Sequence, residues 1–367
     1  MAVDNLKVLL IAAVIVIHAV MGYAAFFDGW PYAEVQEVHL PDAVVIAVFA
    51  VFAPIGLCMM ALLFLIAGLL TPPSVVRKGP GRFARDRLLR LGVPFAVFVL
   101  LLWPLCLYGL FRTLGRTRRG YWAYFTGALP NNGPLWFVGL LLLLSLGYAA
   151  WVALSGAAAR HPRQVGPGAL LAVSAAIAGL SFVVRLAFPY AAPTPLDLNE
   201  WQWPECIALF GVGVVASPHG WLTSVPEPLV RTARRVTAVV GVALALFLLA
   251  ALAVGVPQAD FLGGPHWAAL VVTAIEGLLT VFGSLWLLAV AQRHLTAWPR
   301  HGPALARSAY GAFVLQAPVL IGLALAMRPV PVPAEIKAVT VAVGGLVVSF
   351  GLACLLTGRG RGLDRLL

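Results

Sequence analysis

Residues 4–18 read Asp-Asn-Leu-Lys-Val-Leu-Leu-Ile-Ala-Ala-Val-Ile-Val-Ile-His, and no polar side chain interrupts the run from Val8 to Ile17. An apolar run of this kind forms a helix in a bilayer, because lipid offers the backbone no hydrogen-bond partners other than its own. The stretch therefore predicts a transmembrane helix that carries a histidine, His18, in its interior.

Lys7 and His18 are predicted to lie on one face of this helix. At about 100° per residue, the eleven steps between them make three turns plus roughly 20° and span about 16 Å along the axis. Asp4 precedes Lys7 by three residues, so its carboxylate can reach the ammonium group. Ionisable residues within a membrane usually mark a pathway or a reaction centre. A structural hydrogen bond between helices is the alternative for His18.

The composition of the 367-residue chain is that of a membrane protein. Hydrophobic residues make up 61% of it and charged residues 11%, far below the roughly 25% of soluble domains. Apolar runs bounded by Pro, Gly and charged residues recur ten times, and the shortest covers residues 204–217. We therefore predict an all-α, polytopic integral membrane protein with about ten transmembrane helices, folded as a single domain over residues 1–367.

The basic residues predict how the chain is oriented. Ten spans place both termini on one side, and most of the 25 Lys and Arg residues fall on that side, so the positive-inside rule predicts cytoplasmic N- and C-termini. The arginines between residues 112 and 119 fall on the opposite side and are the main exception. Because the net charge of +11 resides in short connections, it is a topology signal, and nucleic acid is excluded as a partner.

Two features of the composition bear on location and chemistry. Arg far outnumbers Lys, which occurs only as Lys7, Lys78 and Lys337. We attribute this bias to a GC-rich bacterial genome, and expect a multi-pass protein of the bacterial cytoplasmic membrane in contact with membrane lipid. The four Cys residues stand singly in or beside apolar runs, so neither a disulfide nor a metal site is predicted.

Other charged residues lie within or beside the apolar spans. Glu276 lies inside the eighth span, about 15 Å from its start by helical rise, without a basic residue in that span. It is a candidate contact for His18 or for a substrate, with a structural hydrogen bond as the alternative. Arg185 and Glu205 are expected to form a structural pair. The most basic segment, residues 77–90, is predicted to be a cytoplasmic connection.

Six motifs occur in the order Lys7 to His18, Phe64-Leu-Ile-Ala67-Gly68, Arg82-Phe-Ala-Arg85-Asp-Arg87-Leu-Leu-Arg90-Leu-Gly-Val-Pro94, Pro134-Leu-Trp136-Phe137, Phe210-Gly-Val-Gly213 through Trp221, and Ser308-Ala-Tyr310-Gly311 with Pro318. Together they resemble the membrane-bound acyltransferase-3 family, which includes O-acetyltransferases of bacterial polysaccharides and glucan succinyltransferases. Two positions depart from the family pattern. Ala67 stands in place of a serine, and Gln316 stands where a histidine is common.

The resemblance implies a membrane acyltransferase that uses acyl-CoA as its cytoplasmic donor, with no bound cofactor or metal. It implies transfer of an acetyl or succinyl group to a hydroxyl of a glycan, a lipid-linked sugar or a small metabolite. His18 would act as the general base, since imidazole titrates near neutral pH. The predicted site has three groups: His18, Lys7 and Asp4 for catalysis, Arg82, Arg85, Arg87 and Arg90 for the donor phosphates, and Glu276, Trp136, Tyr310 and Gln316 either as contacts of the acceptor or as residues that support the reacting groups.

Two other function classes are compatible with the residues. A proton-coupled transporter or flippase would use His18 and Glu276 as a proton relay. No internal repeat is evident in the sequence, which argues against many transporter folds. A non-catalytic membrane scaffold is suggested only by the departures at Ala67 and Gln316.

Overall fold

The computed structural model describes residues 1–24, 30–127, 132–156, 165–190, 192, 194, 197–297 and 302–359. Within these ranges every regular element is a helix and no strand occurs. The predicted all-α class is therefore confirmed. The physical reason is that the long helices carry apolar side chains on nearly every turn and few charges. In a bilayer, the backbone N–H and C=O groups of such segments are satisfied by hydrogen bonds within the helix.

The chain forms sixteen α-helices in its described part. They are α1 (Ala2–Ala24), α2 (Pro31–Glu34), α3 (Asp42–Lys78), α4 (Pro80–Arg87), α5 (Val93–Val97), α6 (Trp103–Thr113), α7 (Tyr121–Gly127), α8 (Trp136–Ser155), α9 (Pro167–Ala187), α10 (Trp203–Ala216), α11 (Glu227–Ala253), α12 (Ala259–Leu262), α13 (Trp267–Leu278), α14 (Ser284–His294), α15 (Gly302–Met327) and α16 (Ala334–Arg359). Single π-helical segments join α4 to α5, α5 to α6, and α13 to α14.

Nine helical segments in the described part are long and apolar enough to cross a membrane, against ten predicted. The difference is α10, whose 14 residues rise about 21 Å and fall short of a bilayer core. Short 3-10 turns extend it at both ends, so the helical run from Glu200 to His219 reaches about 33 Å. The orientation with both termini in the cytoplasm requires this run to cross, and it stays a prediction.

The chain divides into two compact units that alternate along the sequence. Unit 1 comprises residues 1–3, 50–87 and 140–297, and unit 2 comprises residues 4–49, 88–139 and 298–367. His18 belongs to unit 2, whereas Glu276 belongs to unit 1. The prediction of a single domain over residues 1–367 stays a prediction.

Within unit 1, α3 and α10 cross with their backbones in direct contact. A methyl group added at Gly68 would overlap the carbonyl oxygen of Phe210, and one added at Gly213 would overlap that of Leu65. Glycine at both positions therefore permits this crossing, as small residues do at many membrane helix interfaces. Ser217, just beyond α10, donates a hydrogen bond of 2.8 Å to the Leu69 carbonyl oxygen and extends the same contact.

The basic segment predicted as a connection is helical, which corrects that prediction. The turn is confined to Gly79, which has a φ of 76°, and Pro80 begins the next helix directly after it. From Pro80 the chain continues as one helical segment to Thr113. The physical reason is that no Gly or Pro lies between Arg82 and Leu91 to interrupt the helix.

Within unit 2, the segment after α1 is tied down by charged side chains from several elements. Glu34 pairs with Arg116, and Glu37 pairs with Lys337 at the start of α16. Arg328 donates a hydrogen bond of 2.6 Å to the Val35 carbonyl oxygen. Of the arginines at 112–119, which were the exception to the predicted orientation, Arg116 therefore has an acidic partner.

Candidate functional site

The His18 ring is oriented by its own helix. Nδ1 lies 2.8 Å from the Val14 carbonyl oxygen, which can only accept, so this nitrogen carries the proton and donates. The other ring nitrogen, Nε2, is then left with its lone pair. Among the described residues, none forms a hydrogen bond with Nε2. The ring is partly buried and presents an unused basic nitrogen.

The face of α1 that carries His18 packs against protein. Lys7, Ile11, Val14 and His18 follow one another at helical spacing, and Ile11 and Val14 are buried, with 8% and 1% of their surfaces exposed. The predicted contact at the start of the helix is present, since Lys7 Nζ lies 3.1 Å from Asp4 Oδ1. Lys7 and His18 therefore lie on one face of α1, as predicted, and the two residues between them on that face are buried.

Two aromatic rings from the following segment flank His18. The ring centroid of Trp30 lies 5.6 Å from that of His18, and the centroid of Tyr32 lies 5.1 Å away. Gly22, one turn beyond His18, makes this approach possible, because a methyl group there would lie 2.7 Å from the Tyr32 carbonyl oxygen. Pro31 then begins the short helix α2 and holds both rings against α1.

Tyr32 connects the histidine to α15. The side-chain nitrogen of Gln316 donates to the Tyr32 hydroxyl oxygen at 3.3 Å, and both residues are buried. Burial raises the pKa of the Tyr32 hydroxyl well above its ordinary value, so this group stays protonated at neutral pH. Because Gln316 donates, the Tyr32 proton is free for another acceptor, and none occurs among the described residues. The Gln316 side-chain oxygen also lacks a partner within them.

Trp30 and Tyr32 were missed by sequence reasoning, which treated residues 28–42 only as an acidic stretch between the first two spans. The order Trp-Pro-Tyr was the available signal, because proline at the first helical position predicts a short helix with an aromatic residue on either side. The pattern alone does not indicate that this helix packs back onto α1. That packing depends on the absence of a side chain at Gly22.

The other residues of unit 2 that were predicted to contact the acceptor, Trp136 and Tyr310, have no described contact with His18. Trp136, at the start of α8, is buried and meets Phe137 edge-on at a centroid distance of 6.3 Å. Tyr310 lies on α15, and its buried hydroxyl has no hydrogen-bond partner among the described residues. The roles of both residues at the site stay predictions.

Glu276 forms a buried ion pair in unit 1. The Arg185 guanidinium donates from Nη2 to Glu276 Oε1 at 2.9 Å, and Nη1 lies 2.7 Å from Oε2. Both side chains are at most 2% exposed. The expected partner of Arg185 was Glu205, which instead accepts a hydrogen bond from the Thr280 hydroxyl. Periodicity could not predict this choice, because it depends on how α9 packs against α13.

The predicted donor-binding arginines differ in their surroundings. Arg82, Arg85 and Arg90 are exposed, whereas Arg87 is partly buried with its guanidinium 5.0 Å from the centroid of the Phe83 ring. Asp86, the one acid among them, lies 2.5 Å from Lys78 Nζ. Three of the four guanidinium groups are therefore accessible to an anion. Within the described ranges no cluster of three His, Cys, Asp or Glu side chains could hold a metal ion.

Long apolar helices and a partly buried imidazole with an unused nitrogen define a multi-pass membrane protein with an interior site suited to acid–base chemistry. Comparison with protein families makes the assignment specific. The family model described as an acyltransferase domain, that of the acyltransferase-3 family, matches residues 2–358. The chain belongs to this family and is an acyltransferase. Searches of curated proteins and of solved structures give no match.

Proposed function

We propose that this enzyme transfers an acetyl or succinyl group from cytoplasmic acyl-CoA to a hydroxyl of a glycan, a lipid-linked sugar or a small metabolite. His18 is the general base in this proposal. The observation that carries it is the hydrogen bond from His18 Nδ1 to Val14, which leaves Nε2 unprotonated and without a partner among the described residues. A base must present such a nitrogen to the proton that it removes.

The reaction follows from that arrangement. Nε2 takes the proton of the acceptor hydroxyl as its oxygen attacks the thioester carbonyl carbon, and a tetrahedral oxyanion forms. When the carbonyl re-forms, the carbon–sulfur bond breaks and the imidazolium returns its proton to the departing thiolate of CoA. The products are an ester and free CoA, and the histidine ends in its starting state. The oxyanion needs a hydrogen-bond donor, which is the largest single contribution in many acyl transfers.

Tyr32 supplies this donor in our proposal. Its hydroxyl is held by Gln316 through the oxygen, so the proton remains available beside His18. We expect Tyr32→Phe to lower kcat by about 10²-fold while leaving the KM for acyl-CoA within about twofold, because one oxyanion donor is lost and the ring is kept. Steady-state kinetics of CoA release would measure both constants.

The matched control is Tyr148→Phe, which removes a hydroxyl from a partly buried tyrosine in unit 1. It should retain wild-type kcat. Equal kcat values for Tyr32→Phe and the wild type would contradict the assignment of Tyr32.

We propose that the exposed arginines of the basic segment bind the phosphates of acyl-CoA. Arg90→Ala should raise the KM for acyl-CoA about tenfold with little change in kcat, because a charge-assisted hydrogen bond to phosphate is lost outside the reacting centre. Arg118→Ala, at another exposed arginine, is the control. Arg90→Ala avoids the packing that Arg87 makes with Phe83. An unchanged KM in Arg90→Ala would count against this role.

Proton-coupled transport through His18 and Glu276 remains the alternative function. The ion pair argues against it, because the Glu276 carboxylate is engaged by Arg185 and a relay would have to break that pair. Purified protein supplied with acetyl-CoA or succinyl-CoA and with an envelope glycan or sugar alcohol tests the two functions. Ester formation together with CoA release supports acyl transfer. Proton flux into proteoliposomes without ester formation would support transport.

A further inference from the structure

A basic cavity lies in unit 1, where the start of α11 meets the end of α14. Its volume is about 180 Å³. Most of the polar groups that line it are cationic or can become so, and one wall is an indole ring. The residues that matter to the argument are Glu227, Arg231, Arg234, Trp286, Arg293 and His294.

The walls of this cavity are fixed by hydrogen bonds from one side chain. Gln292, on the last turn of α14, donates from its side-chain nitrogen to the Trp221 carbonyl oxygen at 2.8 Å. Its side-chain oxygen accepts from the Val225 backbone N–H at 3.1 Å. Residue 225 lies two positions before α11. Gln292 therefore clamps the entry to α11 onto the end of α14 and brings their arginines to one cavity.

The charges around the cavity are not balanced by the protein. Glu227 pairs with Arg293. Arg231 and Arg234 have no carboxylate partner in the described part of the chain, and at three residues apart they lie on one side of α11. Guanidinium groups gathered in this way repel one another, and a phosphate relieves the repulsion by accepting several charge-assisted hydrogen bonds.

An apolar stripe continues from the cavity along α11. Counting from Arg231 in steps of three or four residues leads through Arg235 to a row of exposed side chains, which are Val239, Val242, Leu246 and Leu249. Each of these four is at least 60% exposed. In a membrane-spanning helix, such a row faces lipid. A cationic end and an apolar stripe on one helix face match the headgroup and the acyl chains of a phospholipid.

From this geometry we propose that the cavity binds the phosphate of an anionic membrane phospholipid, whose acyl chains lie along the stripe from Val239 to Leu249. Arg231 and Arg234 contact the phosphate oxygens. Trp286 lies at the level of the headgroup, where tryptophan is favoured. A lipid fits better than a free anion because the helix face that carries Arg231 continues through Arg235 into the apolar stripe, which begins at Val239.

The test measures lipid binding to the purified full-length protein in a neutral detergent by native mass spectrometry. The probes are dioctanoyl phosphatidylglycerol, dioctanoylglycerol, inorganic phosphate and CoA. We expect phosphatidylglycerol to bind most tightly, and the double variant Arg231→Gln/Arg234→Gln to bind it about tenfold or more weakly. The control Arg118→Gln/Arg119→Gln removes two exposed charges elsewhere and should bind as the wild type does.

A second variant keeps the proposal testable if the double variant does not fold. Glu227→Gln releases Arg293 and should increase the affinity for phosphatidylglycerol about twofold or more, because the cavity gains a free cation. Unchanged affinity in Glu227→Gln would overturn the proposal. So would equal binding of the wild type and the arginine double variant, inorganic phosphate that binds as tightly as the lipid, or CoA that binds more tightly than the lipid.

Discussion

His18→Ala is expected to lower kcat by about 10²- to 10⁴-fold, which is the range that a positioned general base contributes. The loss should appear in kcat, with the KM for acyl-CoA nearly unchanged, because His18 acts on the reacting proton in the proposed mechanism. Its Nε2 has no hydrogen bond among the described residues that could give the ring a structural purpose. Release of CoA in the presence of acceptor measures both constants.

Two further variants separate catalysis from structure at this position. His18→Gln keeps a polar side chain that can donate to the Val14 carbonyl oxygen but cannot accept a proton at neutral pH. It should be as inactive as His18→Ala, with wild-type thermal stability. His39→Ala, at an exposed histidine, should remain fully active. If His18→Ala kept more than a tenth of wild-type kcat, the proposed base would have to be another group.

Arg185→Met is expected to cost about 3–5 kcal/mol in the free energy of unfolding. The variant leaves the Glu276 carboxylate, which is buried, without its cation, and an uncompensated buried charge is strongly destabilising. Because methionine keeps much of the length of the arginine side chain, the loss of unfolding free energy reflects the removed charge more than the removed volume. Unfolding in mixed micelles of neutral detergent and SDS, followed by far-UV circular dichroism, measures it.

The double variant Arg185→Met/Glu276→Gln should recover most of this loss, since it removes both charges together. Arg293→Met is the matched control. It breaks the ion pair between Arg293 and Glu227, whose side chains are 51% and 57% exposed, respectively. We expect a loss of less than about 1 kcal/mol in the free energy of unfolding. Losses that simply add in the double variant would show that the two residues do not act as a pair.

Much of the fold could be predicted from sequence, because apolar runs of sufficient length form helices in a bilayer whatever their neighbours are. The boundaries were less predictable. Residues 82–90 are helical although their charges suggested a connection, since charge alone does not interrupt a helix. The run at 204–217 is a helix of the same length that begins and ends one residue earlier, Trp203–Ala216, and its extension by 3-10 turns leaves no mark in hydropathy.

The candidate site was predictable only where it lies within one helix. Asp4, Lys7 and His18 follow helical spacing, so their common face could be derived from residue numbers. Tyr32 and Gln316 are separated by 284 residues, and their hydrogen bond exists only because α2 and α15 pack together. The prediction that Arg185 pairs with Glu205 was wrong for the same reason, because Arg185 pairs with Glu276. Spacing along the chain contains no information about which buried acid a neighbouring helix presents.

The close crossing of α3 and α10 has a consequence for how this chain can vary. Gly68 and Gly213 belong to two motifs that are far apart in the sequence, yet each glycine makes room for the backbone of the other helix. Substitutions in the two motifs are therefore coupled. A bulkier residue accepted at either glycine would force the helices apart, and a descendant carrying it would need a matching adjustment in the opposite motif.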